Sequence, residues 1–179
     1  MKRMWIFAPV FAVGCLIGPA IWHLKRPPTT DVATTVVESA DSKHIVQDLL
    51  WVEEMGVMPV SDSLVSNILT TLKVEHPHIV HAQMRLESGH YTSRIACENH
   101  NYFGMKQPAK RPTMSLGKKN GYASYRNWVY SIVDYALWQK RYASSLTEEE
   151  YLAYLAKVYA SDKDYTTKIK RIANTLKES

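Results

Sequence analysis

Apolar residues recur at helical spacing through most of the chain after its first forty residues. From Ser42 the period becomes helical, with Ile45, Leu49, Val52 and Met55 on one face and Gly56 as the stop. Met58-Pro59 breaks the pattern. Asp62 or Ser63 caps a second helix that turns Leu64, Val65, Ile68, Leu69 and Leu72 inward. His76-Pro77 opens a third, lined by Ile79, Ala82, Gln83 and Leu86, because proline suits a first helical turn. Trp128 to Tyr142 reads as another, with Ile132, Tyr135, Ala136, Gln139 and Tyr142 on one side. Thr147 to Glu150 is a capping box for the next. Asp162 or Asp164 caps the last, whose stripe is Tyr165, Ile169, Ile172, Ala173 and Leu176. Alternation is scarce. Only Tyr122 to Tyr125 suggests a strand, pairing with Thr113 to Leu116 around Gly117 to Gly121. The expected fold is mainly α with a short β-hairpin.

The N-terminus follows another pattern. Lys2 and Arg3 precede an apolar run from Met4 to Leu24, closed by Lys25 and Arg26. Its length is about that of a bilayer-spanning helix, roughly 20 residues. Trp5 and Trp22 sit near its ends, where such rings favour the interface. We expect a signal anchor over 1–26, a linker over 27–42 and one domain over 43–179. A cleaved signal peptide at Gly18-Pro19-Ala20 and a lipobox at Ala12 to Cys15 are the alternatives. All three export the domain to the periplasmic side of the cell envelope.

Composition narrows the partners. The 179 residues are 46% hydrophobic and 22% charged, enough for a packed core. A net charge of +5 suits an anionic polymer or a membrane surface and is no nucleic-acid signature. Cys15 and Cys97 form no disulfide framework, and His81, His90 and His100 have no metal-ligand spacing, so neither metal nor cofactor is expected.

One acid stands out. Glu87 ends the third helix, directly after inward-facing Leu86 and before Ser88-Gly89. The helix dipole disfavours an ionised carboxylate there, and partial burial does the same. Such a group is either a solvated surface charge or a general acid held protonated.

The segment Gln83-Met84-Arg85-Leu86-Glu87-Ser88-Gly89, followed by Asn101-Tyr102-Phe103-Gly104-Met105-Lys106, resembles a pattern of bacterial peptidoglycan glucosaminidases. These form glycoside hydrolase family 73, the group containing the flagellar rod-associated wall hydrolase. The likeness continues through Tyr122 to Tyr125, Trp128, Ser131 to Tyr135 and Tyr159 to Tyr165. It implies a lysozyme-like helical domain with a glycan groove and cleavage of the β-1,4 bond between N-acetylglucosamine and N-acetylmuramic acid. By position, Glu87 matches the proton donor and Tyr159 a groove tyrosine beside it. Asn101 and Phe103 match residues shaping the floor and wall. Tyr125 and Trp128 are candidate substrate contacts on matching motifs; Trp128 and Trp138 either reach the groove, where aromatic faces stack on sugar rings, or pack in the core, the more frequent fate.

One departure matters. Many members carry a second carboxylate on the hairpin, but Gln107 to Gly121 holds no Asp or Glu. Asp134 falls within a helix, where a structural role is expected, and Glu98 is a fallback on a loop. One-carboxylate chemistry is therefore expected: substrate-assisted hydrolysis, or anhydro-product formation as in lytic transglycosylases. A catalytically silent wall-binding domain is the non-enzymatic alternative. The basic loop from Lys106 to Lys119 either faces glycan carboxylates or is a solvated turn.

Overall fold

Residues 50–159 and 162–177 are described by a computed structural model. The expected N-terminal anchor and linker lie outside them, as do Ile45 and Leu49. No helix among the described residues is long and apolar enough to cross a membrane.

The helical stripes form where the spacing puts them. A first helical segment, α1, covers 50–56 and buries Val52. Helix α2 (Asp62–Thr71) buries Val65, Ile68 and Leu69, with Leu64 and Leu72 packed at the core margin. Its cap is Ser61 rather than Asp62 or Ser63, with the Ser61 hydroxyl accepting from the Leu64 amide. Asp62 is engaged elsewhere: it accepts from Tyr91 and His81 and pairs with Arg85. Helix α3 (Pro77–Glu87) buries residues 79–84 and packs most extensively on α7 (Tyr165–Lys177), which buries Tyr165, Ile169 and Ala173.

A six-residue helix, α4 (Arg94–Asn99), stands where the sequence reads as a polar loop. Ser93 caps it by accepting from the Ala96 amide. Glu98 therefore sits on a helix. The hairpin comprises β1 (Gly117–Lys119) and β2 (Tyr122–Ser124), with Gly117 opposite Ser124 and Lys119 opposite Tyr122. Its turn is shorter than expected. Asn120 and Gly121 have φ of 52° and 82°, as a tight two-residue turn demands. Of the expected first strand, Leu116 extends the pairing through its amide to the Ser124 carbonyl.

Helix α5 (Trp128–Tyr142) is capped by Asn127, whose side chain accepts from Val129 and Tyr130 amides. It buries Ile132, Tyr135 and Gln139, but Tyr142 is 48% exposed rather than inward. Thr147 and Glu150 form the expected capping box of α6 (Glu148–Tyr159). Asp162 accepts from the Asp164 amide ahead of α7.

Asp134 is structural, as expected. It is fully buried and takes a two-pronged ion pair from Arg111, with further hydrogen bonds from Tyr125 and the Met114 amide. Burial pushes its carboxyl up, but these donors outweigh burial and hold it below the ordinary range. The pair ties the basic loop onto α5.

Gly56 ends α1 for a steric reason besides its poor helix propensity. A Cβ there would lie 2.0 Å from the Asn127 amide nitrogen, which is held in place as the α5 cap. Gly56→Ala should displace that cap and cost about 1 kcal/mol in urea unfolding.

Candidate active site

Glu87 reaches its position because α3 ends there. Ser88 follows as the C-cap, with its hydroxyl accepting from the Tyr91 amide. The Glu87 side chain is half-buried, between α7 and the Asn101–Lys106 turn. The Tyr165 hydroxyl donates to Glu87 Oε1 at 2.7 Å. The other oxygen, Oε2, faces Gly104, where a Cβ would stand 3.6 Å away. Gly104 has φ of 62°, so the turn suits glycine, and no Cβ stands beside Oε2. Burial raises the Glu87 carboxyl above its ordinary range, and the Tyr165 hydrogen bond only partly offsets that. Desolvation is the leading cause of the shift that helix position suggested.

A cavity of about 780 Å³ opens beside it. One part of its lining is apolar and aromatic, with Trp138, Tyr142, Val158 and Tyr159. Another is the basic loop, with exposed Lys106 and Lys110. Lys106 lies over the Tyr122 ring at 3.4 Å and donates to the Gly121 carbonyl, so the hairpin fixes this cation. Glu87 is the one carboxylate among the described residues lining the cavity.

The residues singled out from sequence separate into two groups. Glu87, Tyr159 and Asn101 all line the cavity, and Trp138 joins them. Tyr159 packs parallel to Tyr165, at 6.4 Å between ring centroids, and edge-on to Trp138. Burial raises its hydroxyl, with the Glu87 charge adding to the effect. Asn101 holds the turn: its amide donates to the Met105 and Ala123 carbonyls and its oxygen accepts from the Met105 amide.

Phe103, Tyr125 and Trp128 do not line the cavity. Phe103 is fully buried and stacks on Tyr135 at 4.1 Å. Tyr125 is 2% exposed and donates to Asp134. Trp128 is 5% exposed and donates to the Met58 carbonyl. Their part is to hold the walls. Glu98 is also absent from the lining. It is bound by Asn120 and Arg94 on the outer side of α4.

Tyr165 is the contact that sequence reading missed. In the sequence it closes the Tyr159 to Tyr165 motif and begins the α7 stripe, and nothing local reveals that its hydroxyl meets Glu87. Tyr142 and Gly104 were also passed over as site residues.

The glucosaminidase family model, described as mannosyl-glycoprotein endo-beta-N-acetylglucosaminidase, matches residues 65–178. The chain belongs to the glucosaminidase family. It is a glycoside hydrolase. The match begins within α2 and ends with α7, so it spans the whole of the cavity. Among solved structures, a type VI secretion system effector–immunity complex from Pseudomonas protegens is similar at 15% identity and a TM-score of 0.50, over 75% of this chain and 94% of that one. The catalytic domain of the autolysin Auto from Listeria monocytogenes is similar at 16% identity and a TM-score of 0.44, over 73% and 94%. No curated protein matches.

The raised carboxyl of this glucosaminidase has a stability consequence. A Glu whose folded pKa exceeds its unfolded value stabilises fully below the unfolded pKa and loses that contribution as pH rises through the folded one. Glu87→Gln cannot ionise. Urea unfolding should therefore find Glu87→Gln and wild type alike near pH 4, with the variant progressively more stable towards neutrality.

Proposed function

We propose that this domain is an extracytoplasmic peptidoglycan hydrolase that cuts the β-1,4 bond between N-acetylglucosamine and N-acetylmuramic acid, with Glu87 as its only carboxyl catalyst. Membership of the glucosaminidase family supports wall-glycan hydrolysis. The observation that carries the finer reading is a half-buried Glu87, raised by desolvation, alone among acids of the described residues lining the cavity. In this reading the domain is lysozyme-like and the cavity is part of its glycan groove.

The chemistry then follows from one acid. Glu87, protonated, donates from Oε2 to the leaving glycosidic oxygen. The 2-acetamido oxygen of the sugar attacks its own anomeric carbon, replacing the missing second carboxylate. Water opens the resulting ring, with the Glu87 carboxylate now acting as base. Tyr159, beside Glu87 in the lining, orients the acetamido group. Asn101 keeps the turn that carries Gly104 in place. Phe103, Tyr125 and Trp128 support the walls from behind, while Trp138 and Tyr142 offer aromatic faces to sugar rings. Lys106 and Lys110 meet the lactyl and stem-peptide carboxylates of the strand. The apolar run over 1–26 and the linker over 27–42 anchor the domain to the membrane in this reading, on the strength of the sequence alone.

The lone acid also fits intramolecular attack by the muramyl 6-hydroxyl. Mass spectrometry of digested sacculi separates the two. The proposal predicts reducing N-acetylglucosamine ends and, for Glu87→Gln, a loss of about 100-fold or more in release. Anhydromuramyl ends would refute the bond assignment. Binding of sacculi with no release by the wild type would refute the enzymatic reading.

A further inference from the structure

Behind Glu87 lies a run of buried polar groups that the proposed chemistry does not use. Gln83 is fully buried on α3, one turn before Glu87. Its oxygen accepts from the Tyr135 hydroxyl of α5, and its nitrogen donates to the Tyr165 hydroxyl of α7 at 3.2 Å. Tyr165 donates onward to Glu87 Oε1. Tyr151 of α6 meets the Tyr135 hydroxyl at 2.5 Å from the other side. Tyr135 and Tyr151 are both fully buried.

We propose that this chain of hydrogen bonds sets which oxygen of Glu87 carries the catalytic proton, with Gln83 and Tyr135 as positioning residues. The inference rests on Glu87 being the proton donor.

The argument is one of donor counting. Each phenol has a single proton. Tyr135 gives its proton to Gln83 Oε1, so Tyr151 must be the donor in the Tyr151–Tyr135 pair. With its oxygen engaged by Tyr135, the Gln83 amide can only turn its nitrogen to Tyr165. Tyr165 then accepts from Gln83 and has its own proton free for Glu87 Oε1. A protonated Glu87 cannot also hold a hydrogen on Oε1, because two donors would face each other. Its proton must sit on Oε2, the oxygen beside Gly104 at the cavity. Reversing the chain would let Glu87 donate to Tyr165 from Oε1, turning the proton away from substrate. Buried hydrogen bonds are costly to leave unmade, so with the Gln83 oxygen turned to Tyr135 the direction is fixed from there to Glu87. The other titratable or charged groups among the described residues lining the cavity are Tyr122, Tyr142 and Tyr159, with Lys106, Lys110 and Arg111 of the basic loop. None of them donates to Oε1.

The test is a kinetic double-mutant cycle on purified wall glycan, with thermal unfolding measured in parallel. Tyr135→Phe keeps the ring that stacks on Phe103 but frees the Gln83 amide to flip. Its kcat should fall roughly tenfold, as for a misplaced catalytic group. The alkaline limb of its pH profile should move up, because Glu87 loses the Tyr165 proton. Tyr165→Phe should lose at least as much. The double variant should be no slower than Tyr165→Phe alone, because the chain acts only through Tyr165. A folded Tyr135→Phe with wild-type kcat and pH profile would overturn the inference, as would losses that multiply in the double variant. Should Tyr135→Phe fail to fold, Gln83→Met decides by the same criteria, since it keeps the volume and removes the amide that commits Tyr165 to donating to Glu87. Glu87→Gln is run alongside. If it stays active, the donor assignment itself is wrong. If it is inactive while Tyr135→Phe behaves as wild type, only the relay fails.

Discussion

The hydrogen bond from Tyr165 to Glu87 joins the proposed catalytic acid of this domain to its packing. Glu87 is the last residue of α3 and Tyr165 the first of α7, and these two helices share the most extensive contact in the fold. A carboxyl placed there loses water because the helices close over it. It keeps one directed partner because Tyr165 is itself buried, at 6% exposure. Desolvation and a single hydrogen bond act in opposite directions on its acidity, and desolvation is the larger. In the proposed reading, a pattern that in many relatives has two acids is served by one, provided the surroundings keep it protonated.

The walls of the cavity depend on a second polar anchor. Arg111 and Asp134 hold the loop between α4 and the hairpin against α5, in surroundings where a broken pair would leave a buried charge. That anchoring lets Lys106 and Lys110 stay exposed at the rim while the backbone beneath them is fixed. Asn101 does the same for the turn at Gly104 with three hydrogen bonds. The site is therefore built from elements whose own polar groups are satisfied, and Glu87 is the one carboxylate among the described residues lining the cavity.

The helices were legible because their stripes repeat at 3.6 residues. Glu87 was legible through its motif and its place beside Leu86. Other features were not, for definite reasons. Phe103, Tyr125 and Trp128 read as groove residues because cores and glycan grooves use the same aromatic residues; only burial distinguishes them. Tyr142 was assigned inward by the same periodicity, yet it falls where α5 leaves the core. Arg111 lay hidden in a basic run, since its partner Asp134 is distant in sequence. The six residues of α4 are too few for a periodic signal. The hairpin turn was visible in Asn120-Gly121, and a stricter use of that signal would have given the register. Tyr165 could be found only with α3 and α7 packed together.

The most direct measurement is a carbon NMR titration of the Glu87 side-chain carboxyl, assigned by its loss in Glu87→Gln. A carboxyl closed in by α3 and α7 should titrate clearly above ordinary glutamates in the same protein. A midpoint at or below theirs would mean that the group is ionised well before neutrality, and would contradict an account in which burial alone keeps the catalytic acid protonated.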